Sequence, residues 1–214
     1  MNDSEKLARE LLEGAYALAT PDDNVSYYRD FARHYDNAFA QEMGYQLPHL
    51  VAQTYQELAE PSDQTIVDLG CGTGLVAEFL PSGTLIDGLD ISEDMLAAAR
   101  SKGRYRKLFR LDLTQPIPPS TPKYQSIISS GTFTHGHLGP DALENALSLG
   151  YSNALFILSV NSEHFRTLGF KDRLNKLSKE GLIADVSHRS CHIYTDHTHA
   201  HAGDEALICS FRKS

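Results

Sequence analysis

The segment IVDLGCGTG at residues 66–74 contains the strongest structural signal in the chain. Apolar residues that suit a buried strand lead directly into three glycines at alternate positions, Gly70, Gly72 and Gly74. Glycine is needed where the backbone turns sharply after a strand and where a ligand approaches the main chain without a Cβ in the way. The segment therefore predicts a strand, a ligand-binding turn and a helix.

Short apolar segments alternate with helical ones from residue 64 onward, which is typical of a parallel sheet covered on both faces. We predict strands at 65–69, 85–89, 107–111, 126–129 and 154–160. Helices are predicted at 75–80, 93–101, 141–149 and 163–179. The proline-rich segment 114–122 is predicted to be a loop. Extended segments at 183–194 and 205–212 are expected to pair as a closing hairpin, so the fold class is a doubly wound, mostly parallel α/β sandwich.

The first sixty residues have a different, helical pattern. Apolar residues on one helical face predict a helix before residue 20, and further helices are predicted at about 27–35 and 46–60. We expect residues 1–60 to form a helical cap over the carboxyl edge of the sheet. Residues 61–214 are expected to form the catalytic domain, within one structural unit.

Composition excludes several classes of function. The 214 residues carry a net charge of −9 and no long basic run, which argues against a nucleic-acid partner and favours a small molecule, or a protein that carries local positive charge. No apolar run approaches the length that crosses a membrane, and the charged N-terminal segment cannot act as a signal peptide. The three cysteines form no CxxC pair, so neither a disulfide framework nor a cysteine zinc site is expected. We expect a cytoplasmic protein of undetermined oligomeric state.

Three aspartates at predicted strand ends narrow the choice among classes of ligand. The dinucleotide pattern GxGxxG requires a third glycine where this chain has Leu75, and an acid such as Asp68 is unfavourable beside a pyrophosphate. The same acid is useful beside an amino-acid ammonium group. Asp90 can accept hydrogen bonds from ribose hydroxyls, and Asp112 from an adenine amino group. A nicotinamide oxidoreductase is therefore the weaker alternative.

Four segments resemble the successive signatures of class I S-adenosylmethionine-dependent methyltransferases: VDLGCGTG at 67–74, LDISEDML at 89–96, LDL at 111–113 and SSG at 129–131. The resemblance implies a seven-stranded sheet with the last strand antiparallel. It also implies S-adenosylmethionine as cofactor and S-adenosylhomocysteine as product. The flanking segments, YYRDFARHYD at 27–36 and GTFTHGH at 131–137 among them, are similar to the methyltransferase-like group named for the Williams–Beuren syndrome region.

The resemblance assigns roles to individual positions. The glycine loop would surround the methionine moiety, Asp90 would bind the ribose, Ile91 would lie on the adenine face, and Asp112 with the Leu113 main chain would lie at its edge. The predicted cofactor-binding residues are Tyr28, Tyr35, Asp68, Gly70, Gly72, Gly74, Asp90, Ile91, Asp112, Leu113 and Ser130.

The acceptor side is less defined by sequence. His135 follows a strand end in a glycine-flanked loop, so we hypothesise that it lines the acceptor pocket, although a loop histidine that only bonds backbone has the same signature. Tyr28 and Tyr35 also fit a helical core stripe. No metal site is expected from the C-terminal histidines, because alternate strand positions are too far apart to share one ion. The segment from Asp196 to Asp204 is expected to form an exposed connection between strands. A binding protein without transfer activity remains an open alternative.

Overall fold

A computed structural model describes residues 9–10, 13–14, 43–134, 137–196 and 198–214. The predicted helix at 27–35 and most of the predicted cap therefore lie outside the described residues. No helix in the described part of the chain combines the length and apolar character that a membrane span requires.

In these described residues, seven strands form one sheet. They are β1 (Thr65–Leu69), β2 (Leu85–Asp90), β3 (Lys107–Arg110), β4 (Tyr124–Phe133), β5 (Gly150–Asn161), β6 (Ile183–His192) and β7 (Glu205–Lys213). Their order is β3-β2-β1-β4-β5-β7-β6. The first five strands pair in parallel, and β7 runs antiparallel to both β5 and β6. The predicted seven-stranded, doubly wound sheet and its closing hairpin are confirmed.

Helices cover both faces of this sheet. They are α1 (Leu47–Leu58), α2 (Leu75–Glu78), α3 (Glu93–Ser101), α4 (Ala142–Ser148), α5 (Ser162–Thr167) and α6 (Phe170–Lys179). Helices α1 to α3 pack on one face, and α4 to α6 pack on the other. Strand β1 serves both layers, because Ile66 faces the first group of helices while Val67 and Leu69 face the second. Residues 47–58, which the sequence pattern assigns to the cap, therefore lie in the helical layer on one face of the sheet.

The C-terminal helical region differs from its prediction. The sequence pattern predicts one helix over 163–179, but the structure has two, α5 and α6, separated at Leu168 and Gly169. Gly169 has φ 78°, a left-handed conformation that ends a helix at little steric cost to glycine. Asn161 begins α5, since its side-chain oxygen accepts from the backbone N–H groups of Glu163 and His164. The apolar periodicity continues across this break, so the sequence pattern does not indicate it.

Two loops complete the comparison with the predicted elements. Residues 114–122 contain no helix or strand, as their prolines predict. The connection from β6 to β7 was expected to be exposed between Asp196 and Asp204, but His199 is buried. Its ring meets the buried Tyr194 edge-on, at a centroid distance of 4.9 Å. This aromatic contact therefore keeps the His199 part of the loop packed against the rest of the protein.

Candidate functional site

The glycine loop lies at the point where the strand order of the sheet reverses. Strand β1 pairs with β2 on one side and with β4 on the other, so the chain first forms a strand on one side of β1 and later forms one on the opposite side. In open α/β sheets the crevice at this switch point, beyond the carboxyl ends of the strands, is where ligands bind. Asp68 and Gly70 end β1 at this crevice, and Asp90 ends β2 beside them.

Each glycine of the loop has a positive φ, at 62° for Gly70, 53° for Gly72 and 89° for Gly74. A Cβ on Gly70 would overlap the side chain of Thr132, and a Cβ on Gly74 would lie 2.7 Å from the ring of Tyr105. A Cβ on Gly72 would have no atom of the described residues within 4 Å. Within this part of the chain, the middle glycine therefore borders open space, whereas the outer two border protein.

Asp90 ties the loop to the end of β2. Its Oδ2 accepts the backbone N–H of Gly72 at 2.8 Å, and its Oδ1 accepts the backbone N–H of Ser92 at 2.8 Å. Burial raises the pKa of the Asp90 carboxyl, while these backbone hydrogen bonds lower it. Each carboxylate oxygen keeps a second lone pair for another donor.

Asp68 is fully buried beneath the loop, with 0% exposure. Its Oδ2 accepts the hydroxyl of Tyr105 at 2.7 Å, whereas its Oδ1 has no hydrogen-bond partner among the described residues. The pKa of the carboxyl is raised to about 7, chiefly because burial disfavours the charged form; the Tyr105 hydrogen bond lowers it and the charge of Asp90 raises it. A buried carboxylate oxygen without a donor is costly, so this atom points to a ligand.

The end of β4 forms the other wall of the crevice. Its pairing with β5 shifts register between Ser129 and Phe133. The hydroxyls of Ser129 and Thr132 both donate to the carbonyl of Leu69, at 2.7 and 3.0 Å. Between them, the buried Oγ of Ser130 has no hydrogen-bond partner within the described ranges. Ser129 and Thr132 thus anchor the loop, whereas the hydroxyl of Ser130 has no hydrogen bond within the described residues.

The remaining predicted cofactor residues form the outer rim. The Oδ1 atom of Asp112 accepts both the backbone N–H and the hydroxyl of Thr114, so it stabilises its own turn. The carbonyl of Leu113 accepts from the side chain of Asn145 at 2.9 Å. Ile91 is half-buried beyond the end of β2.

The predicted acceptor-side residues are only partly described. Tyr28, Tyr35 and His135 lie outside the described residues. His137, two positions on, has its pKa lowered to about 4 because burial disfavours the imidazolium; a bond with the Gly131 backbone opposes the shift, and His164 adds to it. His137 is therefore neutral near pH 7. Across the described segments, no three histidine, cysteine or carboxylate side chains come together as metal ligands.

Sequence reasoning missed Tyr105, Ser129 and Tyr45. Tyr105 lies in the connection between α3 and β3, and no local pattern indicates that it reaches back to Asp68. Tyr45 precedes α1, and its hydroxyl occupies the position that a Cβ on Gly131, near the end of β4, would take. The available sequence signal is glycine at positions 74 and 131. Each has a positive φ and faces one of these tyrosine rings, so each marks a place where a ring lies close to the backbone.

Comparisons with known proteins agree with this geometry. Residues 66–151 match the family model for a methyltransferase domain. The chain is 27% identical over 140 residues to human methyltransferase-like protein 27, covering 63% of this chain and 57% of that protein. It is 36% identical over 86 residues to trans-aconitate 2-methyltransferase of Acidovorax sp. (strain JS42), covering 38% of this chain and 33% of that protein. The chain thus spans about half the length of the first relative and a third of the second.

A solved structure has the same architecture. The magnesium protoporphyrin IX methyltransferase of Synechocystis PCC 6803, crystallised with bound S-adenosylmethionine, superposes with a TM-score of 0.57. The alignment covers 100% of this chain and 99% of that chain at 16% sequence identity. At this identity the likeness establishes the fold.

Proposed function

We propose that this chain, which matches a methyltransferase domain over residues 66–151, is a class I methyltransferase that binds S-adenosylmethionine at the glycine loop and transfers its methyl group to a small-molecule acceptor. The acceptor atom would be an oxygen, nitrogen or carbon nucleophile. S-adenosylhomocysteine would be the product that leaves the same site.

The observation that carries this proposal is the buried Oδ1 of Asp68, which has no donor among the described residues. It lies at the end of β1, beneath a loop whose middle glycine, Gly72, borders open space. A ligand that carries an ammonium group satisfies such an oxygen, whereas a pyrophosphate is repelled by it. Asp68 therefore supports an amino-acid nucleoside as ligand and argues against a dinucleotide.

The neighbouring strand ends supply the remaining contacts. We assign the free lone pairs of Asp90 to the ribose hydroxyls, and the half-buried side chain of Ile91 to one adenine face. Asp112 and the main chain of Leu113 would bind the adenine edge. Gly70 and Gly74 keep the loop in contact with its two walls, and Ser130 offers an unused hydroxyl beside the methyl-donor end.

Alignment and exclusion of water are the tasks left to the chain's own residues. When bound, S-adenosylmethionine supplies a methyl group already made electrophilic by its sulfonium, so no general base is obligatory. The loop after β4, with His135, and the tyrosines Tyr28 and Tyr35 would enclose the acceptor. His137 is neutral near pH 7 and so adds no charge that would repel the sulfonium.

A small acceptor is supported by charge and by the relatives. A net charge of −9 disfavours a polyanionic acceptor such as nucleic acid. Two of the similar proteins are named for methylating trans-aconitate and magnesium protoporphyrin IX, both small molecules.

Two measurements test the proposal in sequence. Isothermal titration calorimetry with S-adenosylhomocysteine and, separately, with NAD identifies the ligand; binding of NAD without binding of S-adenosylhomocysteine contradicts it. A labelled-methyl transfer screen over small metabolites then separates an enzyme from a protein that only binds the methyl donor. Absence of transfer to any acceptor, with the donor bound, favours the binding protein.

A further inference from the structure

Tyr105 occupies a space that two glycines leave open. Its ring lies 2.7 Å from the position that a Cβ on Gly74 would take and 3.1 Å from that of a Cβ on Gly88, in the middle of β2. Gly88 sits inside a regular strand, where glycine is unfavourable unless another group approaches closely. Two separate backbone segments thus lack side chains on the side that faces this ring.

The hydroxyl of Tyr105 determines how Asp68 is held. It donates to Oδ2 at 2.7 Å, so the plane of the buried carboxylate is fixed and Oδ1 remains the oxygen without a donor. A charge-assisted hydrogen bond of this kind also favours the ionised carboxylate over the protonated form.

The surroundings of Asp68 would otherwise favour protonation. The titratable groups coupled to it in the described structure are Asp90 at the end of β2, Cys71 in the glycine loop and Tyr105 itself. Asp90 and burial both raise the pKa of Asp68, and Cys71 is held as a neutral thiol because burial raises its own pKa. Of the three coupled groups, Tyr105 is therefore the one that lowers the pKa of Asp68.

We propose that Tyr105 is a positioning residue for the methyl donor: its hydroxyl favours the ionised form of Asp68 and turns the carboxylate so that Oδ1 accepts from the donor's α-ammonium group. This inference rests on the proposed function. Tyr105 itself touches no reacting atom; it acts through Asp68. Binding of the donor should then weaken as the pH falls and Asp68 takes up a proton.

The test compares Tyr105→Phe with Tyr124→Phe. Tyr124 is the matched control, because its hydroxyl likewise donates to a buried carboxylate, that of Asp87, at 3.0 Å; Tyr124 is buried, whereas Tyr105 is half-buried. Asp87 lies near the other end of β2 and keeps its bidentate bond to Arg106 in the variant. Both variants lose one hydroxyl and no ring packing, so a merely structural effect is the same in both.

Calorimetric titration with S-adenosylhomocysteine between about pH 5.5 and pH 8.5 gives the readout. Loss of the Tyr105 hydrogen bond raises the pKa of Asp68, so the pH below which affinity falls should move upward by about one unit in Tyr105→Phe. Below that pH the affinity should be about tenfold weaker than in wild type. Titration of the ligand's own ammonium is common to all three proteins and cancels in the ratio of dissociation constants.

Each outcome decides the matter. An upward shift in Tyr105→Phe, with the wild-type profile retained in Tyr124→Phe, supports the inference; an unchanged profile in Tyr105→Phe, or equal losses in both variants, overturns it. If wild type does not bind S-adenosylhomocysteine, the proposed function fails instead. The hydrogen bond is then tested alone by carbon-13 NMR titration of the Asp68 carboxyl without ligand, where Tyr105→Phe must raise its midpoint.

Discussion

Replacing Gly72 with alanine should separate ligand binding from folding. Gly72 has φ 53°, and a left-handed alanine costs about 1–2 kcal/mol. Reduced freedom of the unfolded chain returns about 0.4–1 kcal/mol, so we expect a net loss of about 1 kcal/mol. The new methyl would have no atom of the described residues within 4 Å, and the N–H that donates to Asp90 is retained. Urea denaturation measures this small change.

The same methyl should cost far more in ligand affinity. It enters the space that the methionine moiety of the donor would fill, and forcing a methyl into filled space costs about 1–3 kcal/mol. S-adenosylhomocysteine should therefore bind about 5- to 150-fold more weakly, as measured by calorimetry at one pH.

Gly83 provides the matched control for this substitution. It has φ 87°, a Cβ there would also meet nothing within 4 Å, and it lies before β2, at the opposite edge of the sheet from the loop. Gly83→Ala should lose the same stability and keep wild-type affinity. The reasoning is refuted if Gly72→Ala binds S-adenosylhomocysteine as tightly as wild type, or if both variants lose affinity equally.

Three further changes test the site and the fold. Asp90→Asn turns an amide NH₂ toward one of its two backbone donors, so urea denaturation should show a loss of about 1–3 kcal/mol, whereas Asp112→Asn keeps the acceptor of its turn and should lose less. Arg212→Met leaves the buried carboxylate of Asp63 without its cation and should cost about 3 kcal/mol of unfolding free energy, with unchanged calorimetric affinity for S-adenosylhomocysteine. His135→Ala should reduce labelled-methyl transfer at least about tenfold while sparing donor affinity; full turnover on the true acceptor would contradict its assigned place.

The sandwich was predictable because its elements are defined by local chemistry. Helix α3 begins and ends where the sequence predicts, since Ser92 caps it through the N–H of Met95 and acidic residues occupy its first turn. Strand β1 was predictable because it is apolar on both faces. The break at Gly169 was not, because α5 and α6 share one apolar periodicity and only the left-handed φ of a single residue separates them.

The site was predictable to the extent that it follows from strand ends. Asp68 and Asp90 meet because parallel strands end at one edge of the sheet, which topology alone requires. Tyr105 could not be predicted, because its bond to Asp68 joins residues 37 positions apart through a loop whose path depends on packing. The bond from Thr132 to the carbonyl of Leu69 lies within a register shift of β4 that no sequence pattern indicates.

The spacing of the three glycines follows from what each one faces. Gly70 makes room for Thr132 from β4, and Gly74 makes room for Tyr105 from the far side of α3, so both are required by contacts within the protein. Of the three loop glycines, Gly72 is the one with no atom of the described residues near its Cβ position, so a side chain there would compete with a ligand rather than with a described neighbour. Alanine at any of the three would be strained by the positive φ, but at an outer glycine it would also collide with the facing side chain. Packing within the protein thus constrains the two outer glycines, and a ligand would constrain the middle one. The glycine pattern therefore says more about the fold than about the acceptor.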